Sequence, residues 1–274
     1  MIRKLLLIKD SGLLPFYLSQ DNIEIDKDLL SGFCSALYDI SIELKFPLKT
    51  VGFKGNKMIV ETIKHQNKNR ILIAMLFDEY HIDEGIIHKI RYVYEKFFSL
   101  EEFGAETRRL NNEQIDLEVI NVINDIPLRI LIRQNLEIIQ EILEPVLLEK
   151  ENGIFAYALT SSNNSILYCN ATYDLTKNHP NQLSEDIIKE YLVSMKFEKI
   201  PHGDKFIGMD LPEGLDLKDY IDTGQKTLGI VINTSINLQE EPNNELLLYF
   251  FGTNTLMRSC VPNIEQILRK RLGQ

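Results

Sequence analysis

The chain has 274 residues, of which 40 are acidic and 30 basic, giving a net charge of -10, and 44% are hydrophobic. This supplies apolar material for one large core or two smaller ones and excludes global disorder. The acidic balance argues against nucleic-acid binding, which needs a concentrated basic surface.

Ile2–Ile8 is a short apolar run, Asp10-Ser11-Gly12 reads as a turn, and Leu13–Leu18 reads as a second strand. From Asp28 the period changes. Leu30, Phe33, Cys34, Leu37, Ile40, Ser41 and Leu44 recur three and four apart, which predicts a helix over 28–45 with one apolar face. Asp26 or Asp28 can cap its start, and Pro47 forbids its continuation. Thr50–Phe53 and Met58–Thr62 flank Lys54-Gly55-Asn56-Lys57, a hairpin turn, and Arg70–Phe77 is an almost wholly apolar strand. Ile82, Ile86, Ile90, Val93, Tyr94 and Phe97 predict a second amphipathic helix over 82–98. The order is β-β-α-β-β-β-α, and packing both helices on one sheet face would bury every apolar stripe so far named, Phe33, Leu37 and Ile73 among them.

Leu100–Asn112 is polar and loop-like, and two helical stretches follow, Glu113–Asn124 and Pro127–Leu148, with Pro127 suited to a first turn. Glu149–Gly153 marks a boundary. Beyond it Ile154–Leu159, Ile166–Cys169, the helix Leu183–Met195, Phe206–Met209, Leu228–Asn233, Glu245–Phe251 and a helix Val261–Leu272 repeat the same order of elements, with Pro212–Gln225 as an insertion. The expected organisation is thus a domain over 1–100, a helical linker or extension over 101–150 and a second domain over 151–274. Each domain is expected to be a mainly antiparallel five-stranded sheet packed with helices, an α/β protein of the α+β type.

The run from Arg3 to Leu14, with its Asp10-Ser11-Gly12 turn, then the long helix, the Lys54–Lys57 hairpin, the Ile71–Phe77 strand and the Ile82–Phe98 helix, resembles the longin domain. The related roadblock group shares the sheet and its two helices in a different topological arrangement. The resemblance covers about residues 1–100 and, more faintly, 153–272. It implies a tandem longin-like protein, a scaffold found in trafficking adaptors, tethering complexes and regulators of small GTPases. Nothing after the first domain resembles a coiled-coil SNARE segment with a membrane span.

Chemistry is sparse. There is no GxxxxGK[ST] and no GxGxxG, so nucleotide binding is not expected. Five histidines, His65, His81, His88, His179 and His202, make no metal motif; His81 and His88 lie seven apart beside Asp78, Asp83 and Glu84, read as a solvated helix start. No GxSxG elbow selects a nucleophile, and Glu101-Glu102 and Glu240-Glu241 sit in polar loops. Cys34, Cys169 and Cys260 form no CxxC and read as buried free thiols of a reducing compartment. Arg108, Arg109, Arg129, Arg133 and Arg258 are each candidates for an arginine finger, and each reads as a surface or salt-bridge residue. Arg269-Lys270-Arg271 reads as a complement to the last turn of a helix. The N-terminal apolar run is too short for a signal peptide or a span, so the expectation is a cytoplasmic protein with no transmembrane segment. No catalytic residue, cofactor or metal is assigned.

The leading expectation is a non-catalytic adaptor or tether subunit that contacts a small GTPase or a related longin- or roadblock-like chain as a homo- or hetero-oligomer. Ser35, Ala36 and Asp39 on the polar side of the first helix, and Tyr92 on the second, are the expected contact residues. The alternatives are an activator or exchange regulator of a small GTPase, and an unrelated enzyme working in a cleft between the domains.

Overall fold

The computed structural model describes residues 1–45, 50–64, 70–98, 113–148, 154–172, 184–194, 205–210, 228–237, 245–252 and 257–272. Pro47, the 100–112 loop, the 149–153 boundary and the 212–225 insertion lie outside them. The chain divides into two compact units, Met1–Ile126 and Pro127–Gln274, so the helical stretch expected as a linker over 101–150 is shared between them.

In the first unit, β1 (Ile2–Lys9) turns through Gly12 into β2 (Phe16–Ser19) and leads to α1 (Lys27–Glu43). β3 (Thr50–Phe53), β4 (Asn56–Lys64), β5 (Arg70–Asp78) and α2 (Asp83–Val93) follow, and a π-turn over Tyr94–Phe98 leads on towards α3 (Glu113–Ile123). Gly12 (φ 77°) and Gly55 (φ 74°) hold the two tight turns in a backbone region that other residues enter at a cost. The sheet runs β2-β1-β5-β4-β3, antiparallel throughout, with Leu6 opposite Ala74 and Val60 opposite the same alanine from the other side.

Leu5, Leu7, Ile59, Ile71, Ile73, Met75 and Phe77 form a core with Ile86, Ile90 and Val93 of α2 and Val119 and Ile123 of α3. Leu6, Ile8, Met58, Val60, Leu72 and Ala74 form another with Cys34, Leu30 and Leu37 of α1. Alternate residues of one strand point to opposite faces, so α1 and α2 lie on opposite faces of the sheet. This corrects the expectation of two helices on one face, and it explains why β1 and β5 are buried on both sides.

Two buried charge pairs tie connections to this sheet. Lys4 Nζ donates to Ser19 Oγ (2.8 Å), Asp21 Oδ1 (2.5 Å) and the Ile23 carbonyl (2.9 Å), which pins the segment between β2 and α1. Lys89 Nζ donates to Asp125 Oδ2 (2.7 Å) and the Ile123 carbonyl (3.1 Å), fastening the end of α3 to α2.

The second unit opens with α4 (Ile126–Gln134) and α5 (Leu136–Leu148). A single helix over Pro127–Leu148 was expected; it is interrupted at Asn135, whose side-chain amide donates to the Leu131 carbonyl at 2.8 Å and competes with the backbone for it. β6 (Ile154–Ser161), β7 (Ile166–Ala171), α6 (Ser184–Ser194), β8 (Lys205–Asp210), β9 (Leu228–Asn237), β10 (Glu245–Gly252) and α7 (Met257–Leu272) complete it. The sheet order β7-β6-β10-β9-β8 repeats that of the first unit position for position. One sheet face, with Tyr157, Leu159, Leu246, Leu248 and Phe250, packs with α4, α5 and α7 in a single core. The β6–β7 turn is a buried polar knot, where Ser161 Oγ donates to Asn163 Oδ1 and Tyr249 Oη to Asn164 Oδ1, both at 2.6 Å.

Candidate interaction surface

α1 begins where its sequence says it should. Asp26 Oδ1 accepts from the backbone N–H of Asp28 (2.9 Å) and Leu29 (3.1 Å), which satisfies two amides that the first turn leaves without partners. The helix then meets the sheet along a narrow line. Ser31 Oγ donates to the Gly12 carbonyl (3.1 Å), Cys34 Sγ lies 3.7 Å from Met58 Sδ, and Tyr38 Oη accepts from Arg70 Nη1 (3.2 Å). Leu30 and Leu37 pack beside this line in the same cluster as Val51 of β3.

Beyond Leu30 and Leu37 the apolar surface of α1 continues without cover. Leu29 is 71% exposed, Phe33 41%, Ile40 54% and Leu44 61%. At about 100° per residue these four form one ridge along the helix flank, away from the Cys34 contact line. Gly32 and Ala36 are exposed on the same outer surface. Phe33, expected in the core, is therefore a surface residue. Its spacing fits the inner stripe, but the apolar arc of α1 is wider than one sheet face can cover.

Carboxylates surround the ridge: Glu24, Asp26, Asp28, Asp39 and Glu43 are all exposed, with Lys27 and Lys45 at the two ends of the helix. β3 is an edge strand paired only to β4 among the described residues, with Gly52 and Phe53 exposed. An edge strand offers unpaired backbone groups to a partner chain.

The four expected contact residues do not come together. Ala36 and Asp39 are exposed on α1, and Ala36 borders the ridge. Ser35 is half-buried and its hydroxyl donates to the Ser31 carbonyl at 3.1 Å. Tyr92 is half-buried on α2, with Lys96 Nζ 5.6 Å from its ring centroid, on the opposite side of the sheet from α1. Of the ridge residues, Phe33, Ile40 and Leu44 belong to the stripe expected to face the core, and Leu29 lies outside that stripe. The width of the apolar arc in the sequence was the available signal.

The histidines, acids and arginines that could carry chemistry are spread over both units and are not gathered into one site among the described residues. His81 is buried, its ring 4.4 Å from that of Tyr80, whereas His88 is exposed on α2. Among the described residues no group of three His, Cys, Asp or Glu side chains could hold a metal ion. Arg129 Nη2 donates to Ser165 Oγ (3.1 Å), Arg133 is exposed, and Arg271 lies 3.8 Å from Glu141. Asp83 accepts from Thr50 Oγ1 (2.8 Å) and pairs with Lys57 (3.3 Å), holding the start of α2 to β3 and β4. Arg108, Arg109, Glu101, Glu102, Glu240, Glu241, His65, His179, His202 and the side chains of Arg258 and Cys260 lie outside the described residues. Among the described residues no helix is long and apolar enough to cross a membrane.

Burial pushes the Cys34 thiol up to about 11, and burial together with the charge of Glu185 pushes Cys169 to about 12. At pH 8 only about one Cys34 in a thousand is thiolate, against roughly one in four for an ordinary thiol of pKa near 8.5. Alkylation of Cys34 at pH 8 should therefore be at least 100-fold slower in the native chain than in denaturant, read by mass spectrometry of the labelled peptide. Equal rates would mean that α1 does not lie on Met58 as described.

The sequence matches no protein-family model and no curated protein.

Proposed function

We propose that this chain is a tandem longin-like protein that acts without catalysis, as an adaptor or tether subunit contacting a small GTPase or a related sheet-and-helix partner. The single observation that carries the reading is the apolar ridge of Leu29, Phe33, Ile40 and Leu44, which the first unit leaves in water. Four large apolar side chains in one line on a well-capped helix cost free energy unless something covers them. The acidic surround adds side-chain selectivity to that surface, and the β3 edge of the same sheet is a separate place for backbone pairing. Two lobes of antiparallel sheet flanked by helices are compatible in general terms with a longin- or roadblock-like topology.

The test is capture. The chain immobilised at micromolar concentration should retain a small GTPase or a related sheet-and-helix chain from the same cell, and Ile40→Glu should abolish that retention without lowering the melting temperature. GTP hydrolysis and nucleotide release by a captured GTPase should be unchanged when the protein is added. A tenfold or greater acceleration of either would replace the adaptor reading with that of a catalytic regulator.

A further inference from the structure

We infer that α1 receives a basic amphipathic helix of a partner protein, with its apolar stripe on the ridge and its lysines or arginines against Asp39 and Glu43. The inference rests on the reading of α1 as a contact surface and names the chemistry of the partner. At about 100° per residue, Asp28, Asp39 and Glu43 fall within an arc of about 60° along one side of the ridge, and all three are exposed. On the other side of the ridge Leu30 and Leu37 pack with the sheet. A chain lying along the ridge therefore meets carboxylates on one side only, and a cationic flank on that side is the charge that complements them.

The placement of two of those carboxylates points to a cation independently. Asp39 and Glu43 stand four apart on the helix, a spacing at which like charges repel. Glu43 also lies in the last turn, at the negative pole of the helix dipole, and no basic residue occupies that turn. Arg70, whose charge Asp39 reaches, already donates to Tyr38 Oη at 3.2 Å and lies 3.6 Å from Asp10. Two partner cations four residues apart relieve both repulsions. The ridge runs from Leu29 to Leu44, about 22 Å or four turns, a length that one partner helix can follow. Ala36 and Gly32 keep the middle of the surface low, and nothing lies within 4 Å of where a Cβ on Gly32 would be. The same carboxylates repel an anionic lipid surface, and a two-fold pair of α1 helices would set acid against acid.

The experiment uses the full chain and two fluorescent helical peptides of about 18 residues, each with leucines at a spacing of three and four. One carries lysines beside the stripe and the other glutamates. In anisotropy titrations the lysine peptide should bind at least about tenfold more tightly than the glutamate peptide. Asp39→Asn combined with Glu43→Gln should weaken the lysine peptide about tenfold with an unchanged melting temperature. Glu137→Gln combined with Glu141→Gln removes the same charge from exposed positions on α5 and should leave binding unchanged. Ile40→Glu should abolish binding, and vesicles of phosphatidylcholine and phosphatidylserine should not float the protein. No binding of the lysine peptide, equal binding of both peptides or equal losses from the two double variants overturns the basic-helix assignment. So does flotation with the vesicles, or a dimer that Ile40→Glu dissolves. If Ile40→Glu then still abolishes capture of a different chain, the contact reading survives; if it alters neither peptide binding nor capture, both fall.

Discussion

Lys4→Met is expected to destabilise the first unit by about 3–5 kcal/mol, the usual cost of removing one partner of a buried ion pair. The lysine side chain is fully buried and that of Asp21 is 7% exposed, so water cannot replace the lost ammonium group. Methionine keeps most of the stem volume, so the loss reports on the charge and its three hydrogen bonds rather than on a cavity. The remaining basic neighbour of Asp21, Arg3, approaches only to 3.9 Å. Burial alone would raise the Asp21 carboxyl, but the hydrogen bond and charge of Lys4 outweigh it and hold the group below the usual carboxylate range. A carboxylate depressed in the folded state adds stability that is complete above its unfolded value, about 4, and is lost as pH falls through the folded value. The stability difference between wild type and Lys4→Met should therefore shrink in acid below about pH 4, measured by urea unfolding at several pH values. An equal difference at pH 3 and pH 7 would contradict the pairing.

Ile73→Ala should cost about 2–5 kcal/mol, whereas Phe33→Ala should change stability by no more than about 0.5 kcal/mol. Ile73 is fully buried in the central strand β5, packed among Leu5, Leu7 and Ile90 on the face that α2 covers, and alanine leaves a void that a strand paired on both sides cannot close. Phe33 loses little because much of its ring already meets water. Chemical denaturation of both variants against wild type measures the contrast. A Phe33→Ala loss above about 2 kcal/mol would place that ring in the core and remove the ridge.

Much of the strand and helix order was legible because apolar period and turn residues agree locally. Asp10-Ser11-Gly12 and Lys54-Gly55 mark turns that need positive φ, and Asp26 stands where a helix cap belongs. The placement of helices on the sheet was harder to see. Leu5, Leu6, Leu7 and Ile8 are all fully buried, and so continuous a run in β1 is what a sheet covered on both faces produces. Read that way, the run would have put α1 and α2 on opposite sides. The face of α1 was ambiguous for a related reason. Its apolar residues cover the arc from Leu30 round to Leu29, and helical spacing alone does not say which half meets the sheet. Lys4 and Asp21 were invisible as partners, since two charged residues 17 positions apart look like surface until a hairpin brings them together.

The central claim is that the flank of α1 carries the protein's contact with another chain. Carbene footprinting of the native protein, at concentrations above and below complex formation, tests it most directly by labelling exposed side chains without a mutation. Leu29, Phe33, Ile40 and Leu44 should label strongly in the dilute chain and lose most of that labelling in the complex, while exposed Leu117 on α3 and Ile130 on α4 stay unchanged. Labelling of the four ridge residues that is the same in the free chain and in the complex would contradict the account.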